Sequence, residues 1–220
     1  AQSAQPIQPA DWKVLYHEEF EQGIPGDWNL DTMQGPGIGW TLETEGGNTY
    51  LSATGHVTAP LRLGPWDDFR FKVRVRMIEE GVHLNFRAAG GSRYMIPLRA
   101  WGLQIFPVRP DGSGPGIVQQ VNENLQLNRW YTVEIVGIGA TIRVYVDGIL
   151  KMEYVDVTPM LVGSVSLECL ARAHFDDVEI SGPDQPQGLA WIGTGGPLGG
   201  IGYDIKMRPG NPDKMYVTDV

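Results

Sequence analysis

Between residues 69 and 77, Phe69, Phe71, Val73, Val75 and Met77 alternate without a break with Arg70, Lys72, Arg74 and Arg76. A period of two puts successive side chains on opposite faces of a strand, so this stretch carries one apolar face and one basic face. A helix would scatter both sets around its circumference. Glu79-Glu80-Gly81 then turns the chain, and Val82, Leu84 and Phe86 resume the alternation against His83, Asn85 and Arg87. Residues 88–92, Ala-Ala-Gly-Gly-Ser, make the next turn. A third run, Tyr94 to Leu98, passes through Arg99-Ala100-Trp101-Gly102 into a fourth, Leu103 to Val108. The short turns predict an antiparallel meander of these four strands.

The same pattern recurs along most of the chain. Val14 to Phe20 reads as a first strand, and Trp40 to Glu45 with Thr49 to Ala53 as a hairpin about Gly46-Gly47-Asn48. Val57 to Leu63 is short and is broken by Gly64-Pro65. Beyond a Gly-rich loop at 111–116, strands are expected over 130–137, 141–146 and 149–155. Asp147-Gly148 supplies the tight turn between the last two. Runs at 164–170 and 174–180 complete about a dozen short strands with turn signals roughly every 8 to 12 residues, the pattern of a β-sandwich or barrel. The 29 Gly and 16 Pro among 220 residues, with only 20% charged, suit strands and turns better than helices. No segment carries a helical period. The expected fold is all-β, a two-sheet antiparallel sandwich over residues 11–182. An extended, Gln- and Pro-rich segment (1–10) precedes it, and a linker at 183–188 leads to a C-terminal extension, 189–220.

A net charge of −9 opposes a general nucleic-acid role, because phosphates would be repelled. No apolar run approaches the ~20 residues that span a bilayer. The chain begins Ala1-Gln2-Ser3-Ala4 without Met, as a chain trimmed behind small residues does, which sets the expectation of a secreted, extracellular protein. Cys169 is the one cysteine, so an internal disulfide is excluded and a buried thiol is expected.

The order of several motifs resembles that of a concanavalin A-like, laminin-G-like jelly roll. They are HEEFEQGIPGDW from residue 17, VHLNFR from 82, WYTVEI with IRVYVDG between 130 and 148, GSVSL from 163 and FDDVEI from 175. Relatives in that group include carbohydrate-binding modules, laminarinase-type glycosidases and domains associated with 3-keto-disaccharide hydrolysis. The resemblance implies a concave sheet that serves as the ligand face. The last thirty or so residues, from Ala190, resemble the segment before the first blade of sortilin- and sialidase-type β-propellers. They are too few for a propeller blade with its neighbours and lack the Asp-box.

The outward row of the second strand, His83, Asn85 and Arg87, is the leading candidate site. Such residues stand ~7 Å apart along one face, so three planar polar groups would line a trough. Asn and Arg hold sugar hydroxyl pairs, and Tyr94 or Trp101 could stack on a pyranose ring. Glycan or polysaccharide recognition is therefore the leading expectation, without catalysis. Alternatives are burial of the row at a contact with a propeller domain or another subunit, and a structural or adhesive role through edge strands and the terminal segments. A glycoside hydrolase would need two carboxylates. The only paired candidates, Glu43 and Glu45, flank a turn and lack the middle Asp of the laminarinase pattern. The basic row Arg70, Lys72, Arg74 and Arg76 suits either anionic sugars or carboxylates across the sheet, with Glu134 a candidate partner. Glu19, Glu21, Asp176 and Asp177 offer oxygen ligands that could converge on a structural Ca²⁺ where first and last strands meet.

Overall fold

The structure, a computed structural model, describes residues 12–30 and 37–183 together with the backbone of two strands between 202 and 219. Among the described residues every regular element is a strand. In chain order they are β1 (Lys13–Glu18), β2 (Gly39–Glu45), β3 (Asn48–Thr54), β4 (Val57–Pro60), β5 (Phe69–Glu79), β6 (Gly81–Ala89), β7 (Ser92–Arg99) and β8 (Gly102–Val108). Then come β9 (Gln119–Asn122), β10 (Trp130–Ile138), β11 (Thr141–Val146), β12 (Ile149–Val155), β13 (Ser164–Cys169), β14 (Arg172–Gly182), β15 (Gly202–Arg208) and β16 (Asn211–Asp219). No helix long and apolar enough to cross a membrane occurs among the described residues.

Two antiparallel sheets make the sandwich. The larger runs β12-β11-β10-β5-β14-β3-β2, with β1 also paired to β14, and the smaller runs β4-β13-β6-β7-β8-β9. The chain divides into two compact units, Ala1–Gln185 and Pro186–Val220. In the second, β15 and β16 pair as an antiparallel hairpin. The expected N-terminal segment 1–10, most of the linker and the residues from 189 to 201 lie outside the described residues, so the propeller resemblance finds no support here.

The meander expected from the sequence holds only from β6 onward. β5 belongs to the large sheet, between β10 and β14, whereas β6 belongs to the small one, between β13 and β7. The Glu79-Glu80-Gly81 turn therefore crosses the sandwich, with Glu80 at a φ of 54°. The reason lies in the apolar faces. Phe69, Phe71, Val73, Val75 and Met77 from β5 and Val82, Leu84 and Phe86 from β6 are all at most 1% exposed. Paired side by side these rows would present one broad apolar face to water; face to face they bury each other. Phe69 and Phe86 stack across the gap, centroids 4.3 Å apart and planes 29° from parallel. Gly81 is needed at the crossing because a Cβ there would sit 2.2 Å from the Leu98 carbonyl oxygen.

β9 was not expected. Its sequence, Gln119-Gln120-Val121-Asn122, is polar and mostly exposed, and it forms the edge of the small sheet against β8. Cys169 is fully buried in the core, and burial pushes its thiol up to about 12.

Candidate functional site on the six-stranded sheet

Alternation assigns the outward positions of the small sheet by register. Thr58, Glu168, His83 and Pro97 stand in one cross-strand row, and Pro60, Ser166, Asn85, Met95 and Phe106 in the next. Gln104 and Gln120 sit opposite each other on β8 and β9, joined by a 2.8 Å amide hydrogen bond. Arg93 and Arg99 close the two ends of β7.

Glu168 is the hub. It is 7% exposed, yet it is ionised. Burial opposes the charge, but hydrogen bonds from His83, His56 and Asn85 outweigh it and hold the carboxyl down to about 2. His56 Nε2 approaches Oε1 at 2.9 Å, and Asn85 Nδ2 donates to Oε2 at 3.2 Å. His83 Nδ1 lies 3.0 Å from Oε1, at an angle poorer than that of an ideal hydrogen bond. On its other side, His83 Nε2 faces Arg99 Nη2 at 3.0 Å. That arrangement suits a neutral ring with its proton on Nδ1 and a lone pair accepting from the guanidinium. Arg93 Nε donates to Asn85 Oδ1 at 3.0 Å. The result is a fixed chain, Arg99–His83–Glu168–Asn85–Arg93, across three strands. Nη1 of Arg99 is buried without a protein acceptor, and burial lowers the pKa of this arginine. Half-buried Met95 and Phe106 continue the row of Asn85 on the same face.

Of the expected recognition residues, His83 and Asn85 are on this face, although largely covered by their neighbours. Arg87 is not. The ladder of β6 breaks between Phe86 and Ala89, and Arg87 adopts a φ of 49°. This bulge ends the alternation and turns the side chain into the end of the sandwich, where it is 0% exposed. Its guanidinium donates to the carbonyls of Asp67 (3.0 Å), Gly139 (2.7 Å) and Met160 (3.2 Å) and to Asp68 Oδ1 (3.2 Å). Tyr94 is likewise withdrawn. It faces the core, donates to Asp156 Oδ2 at 2.7 Å, accepts from Met160 N, and cannot stack on a ligand. Trp101 is 47% exposed at the β7–β8 turn. Glu168 was missed because no short-range pattern links β13 to β6, whereas Arg93 and Arg99 lie on the strand expected beside β6 and only their side-chain contacts mark them.

The four carboxylates proposed for calcium do not form a cage. Glu21 accepts from the Thr49 backbone at 2.9 Å, and Glu19 lies 3.6 Å from His17. Asp176 and Asp177 both meet Arg74, at 3.4 and 2.9 Å. The cause is a register shift in β14 between Asp176 and Glu179, with Asp177 at a φ of 47°. No group of three or more His, Cys, Asp or Glu placed to hold a metal occurs among the described residues.

On the large sheet, the basic row of β5 is matched by acids. Arg70 pairs with Glu134 at 3.3 Å and with Glu179, and Arg76 pairs with Glu45 at 2.7 Å. Trp130 lies beneath both Arg74 and Arg76, each 4.8 Å from its ring. Cross-strand carboxylates, the second of the two readings of this row, are what it meets.

No protein-family model matches the chain, and no curated protein sequence does. Solved structures match its fold. An endo-β-1,3(4)-glucanase, SCLam of family GH16, aligns with a TM-score of 0.61 at 12% identity over 81% of this chain and 94% of its own. A β-glucanase of Bacillus licheniformis aligns at 0.57 and 15% identity, over 75% and 96%. The carbohydrate-binding module CBM66 of Bacillus subtilis aligns at 0.56 and 15%, over 71% and 96%. At such identities the likeness is one of fold, and that fold is the antiparallel jelly-roll sandwich expected from the motif order.

Proposed function

We propose that the chain is a carbohydrate-recognition module that takes a glycan across the outer face of its six-stranded sheet. The observation that carries this is the Arg99–His83–Glu168–Asn85–Arg93 chain lying beside Met95 and Phe106. Sugars are bound by planar polar groups held in fixed orientation next to apolar or aromatic surface, because hydroxyls need directional partners and ring faces need cover. Prior ordering by Glu168 lowers the entropy lost when a ligand binds. The half-buried guanidinium of Arg99 and the Gln104–Gln120 pair are the groups assigned to ligand hydroxyls. The fold neighbours named for glucanase activity and carbohydrate binding support the ligand class.

The hydrolase alternative is less well served. Glu168 is the one carboxylate at the outward positions of these six strands, and it is held ionised, whereas glycoside hydrolysis uses two carboxyl groups, one of them protonated. Location outside the cell remains part of the proposal, since extracellular glycans are the natural ligands for such a face.

Titration calorimetry with β-1,3(4)-glucan and arabinan oligosaccharides tests the assignment. The parent is expected to bind at least one, and Arg99→Ala to weaken that binding by about tenfold, the worth of one charge-assisted hydrogen bond. Undiminished binding by Arg99→Ala would place the ligand elsewhere.

A further inference from the structure

At one end of the sandwich the β6–β7 turn, the loop after β8 and the segment after β12 frame a cavity of about 370 Å³ that is open to solvent. It is lined by Ser92, Arg109, Pro110, Asp111, Thr158 and Met160. Ligand pockets run from about 300 to 1,000 Å³, so this one suits a single small molecule rather than a polymer laid along a sheet.

Its wall is built on buried polar groups. Asp156 is 3% exposed and accepts from Tyr94 Oη at 2.7 Å, from Arg109 Nη2 at 3.2 Å and from the Thr158 backbone at 2.9 Å. Arg109 Nη2 also donates to the Thr158 carbonyl at 2.7 Å and to its hydroxyl at 3.1 Å. Arg87 and Tyr94 hold Met160 from below through its carbonyl and its N–H. Arg109 Nη1, however, is buried without any protein acceptor. Leaving a charged donor unsatisfied is costly, so this nitrogen calls for a partner from outside the chain, a water or a ligand group.

The surroundings select the ligand's charge. Asp156 neutralises Arg109, and Asp111 adds a second carboxylate at the rim, its oxygen held by the Ser113 N–H at 3.0 Å and hydroxyl at 2.7 Å. One cation between two carboxylates disfavours an anion. A guanidinium donor opposite a carboxylate acceptor, with Ser92 and Thr158 hydroxyls alongside and Pro110 and Met160 as apolar cover, is instead complementary to vicinal hydroxyls on a ring.

We propose that this loop-end cavity binds one neutral sugar unit, with Arg109 and Asp111 dividing a pair of adjacent hydroxyls. The proposal rests on carbohydrate as the ligand class but not on the sheet-face site. Its test is amide chemical-shift mapping of the full chain titrated with neutral aldohexoses, fructose and glucuronate. Shifts at the amides of Ser92, Arg109, Asp111, Thr158 and Met160 with a neutral sugar are expected, reduced about tenfold in affinity by Ser92→Tyr, which fills the mouth without touching the Asp156 network. Asp111→Asn, which keeps the turn, is expected to weaken the same shifts, and Arg99→Ala to leave them intact. Tighter binding of glucuronate, or shifts insensitive to both Ser92→Tyr and Asp111→Asn, would overturn the cavity assignment. So would an unperturbed cavity in a protein whose sheet face binds oligosaccharide. Cavity shifts without any sheet-face binding would uphold the cavity and remove the face.

Discussion

The two outer faces of the sandwich are built on the same pleat and balanced in opposite ways. On the large sheet Arg70, Arg74, Arg76 and Arg143 each meet at least one carboxylate, and Trp130 and Tyr50 cover the guanidinium groups of Arg74 and Arg76. On the small sheet Arg93 ends on an amide oxygen and Arg99 on a histidine nitrogen, while one carboxylate, Glu168, serves three donors. Matched charges satisfy one another and have little to offer a ligand. A polar chain with donors left over is held in place and still has something to give. The comparison teaches that a charged row on a strand is no evidence of recognition until its partners are known.

The largest expected effect concerns a residue that belongs to neither face. Arg87→Ala should cost about 3 to 5 kcal/mol in denaturant unfolding, since it orphans three carbonyls and Asp68, yet leave oligosaccharide affinity at the sheet face unchanged wherever the protein remains folded. Loss of affinity without loss of stability would return Arg87 to the site.

Acid should separate the two faces by pH. Burial, then the neighbouring Arg76, lowers the His174 pKa from 6.5 to about 4. Arg76 Nε donates to its Nδ1 at 3.0 Å. Above 6.5 the ring is neutral folded or unfolded and nothing is lost. As pH falls from 6.5 towards 4 the unfolded chain takes up a proton that the folded one refuses, so stability should drop by roughly 2 to 3 kcal/mol. Glu168 acts lower down: its contribution is complete above 4.5 and fades as pH falls towards 2. Unfolding curves for His174→Gln should lack the upper step, and those for Glu168→Gln the lower one. Identical profiles for parent and variants would dissolve the distinction.

Next in size is Arg70→Met, which unpairs Glu134 and Glu179 on the large sheet. Its thermal midpoint should correspond to a loss of about 1 to 3 kcal/mol with oligosaccharide binding intact. Smallest in stability is Phe106→Ala on the half-buried outer face, expected to cost about 1 kcal/mol or less but to weaken sugar binding several-fold by calorimetry. A reversal of these two patterns would mean the faces have been assigned the wrong way round.

Much of the fold was legible because alternation is local. The rows Phe69 to Met77 and Val82 to Phe86 specify strands and their buried faces without reference to anything distant. Which strands pair is not local, so β5 was placed beside β6 when it lies across from it. The candidate row was half legible for the same reason. His83 and Asn85 follow the period, but a bulge at Arg87 reverses the rule after them, and no spacing in the sequence announces it. Tyr94 follows the period of Ile96 and Leu98 into the core, so its burial could have been read in advance. Glu168 stands eighty-odd residues from His83 and Asn85, a separation that only the register of β13 against β6 closes.

The crossing at Glu79-Glu80-Gly81 has a consequence for how such a protein can change. Each sheet is stitched mainly by its own ladder, and the chain passes between them at a few connections of this kind. Substitutions along β6, β7 and β8 can therefore remodel what the small sheet displays while the ionic lattice opposite continues to secure the molecule. A scaffold divided in this way can acquire new ligand preferences by drift on one side, with its endurance underwritten by the other.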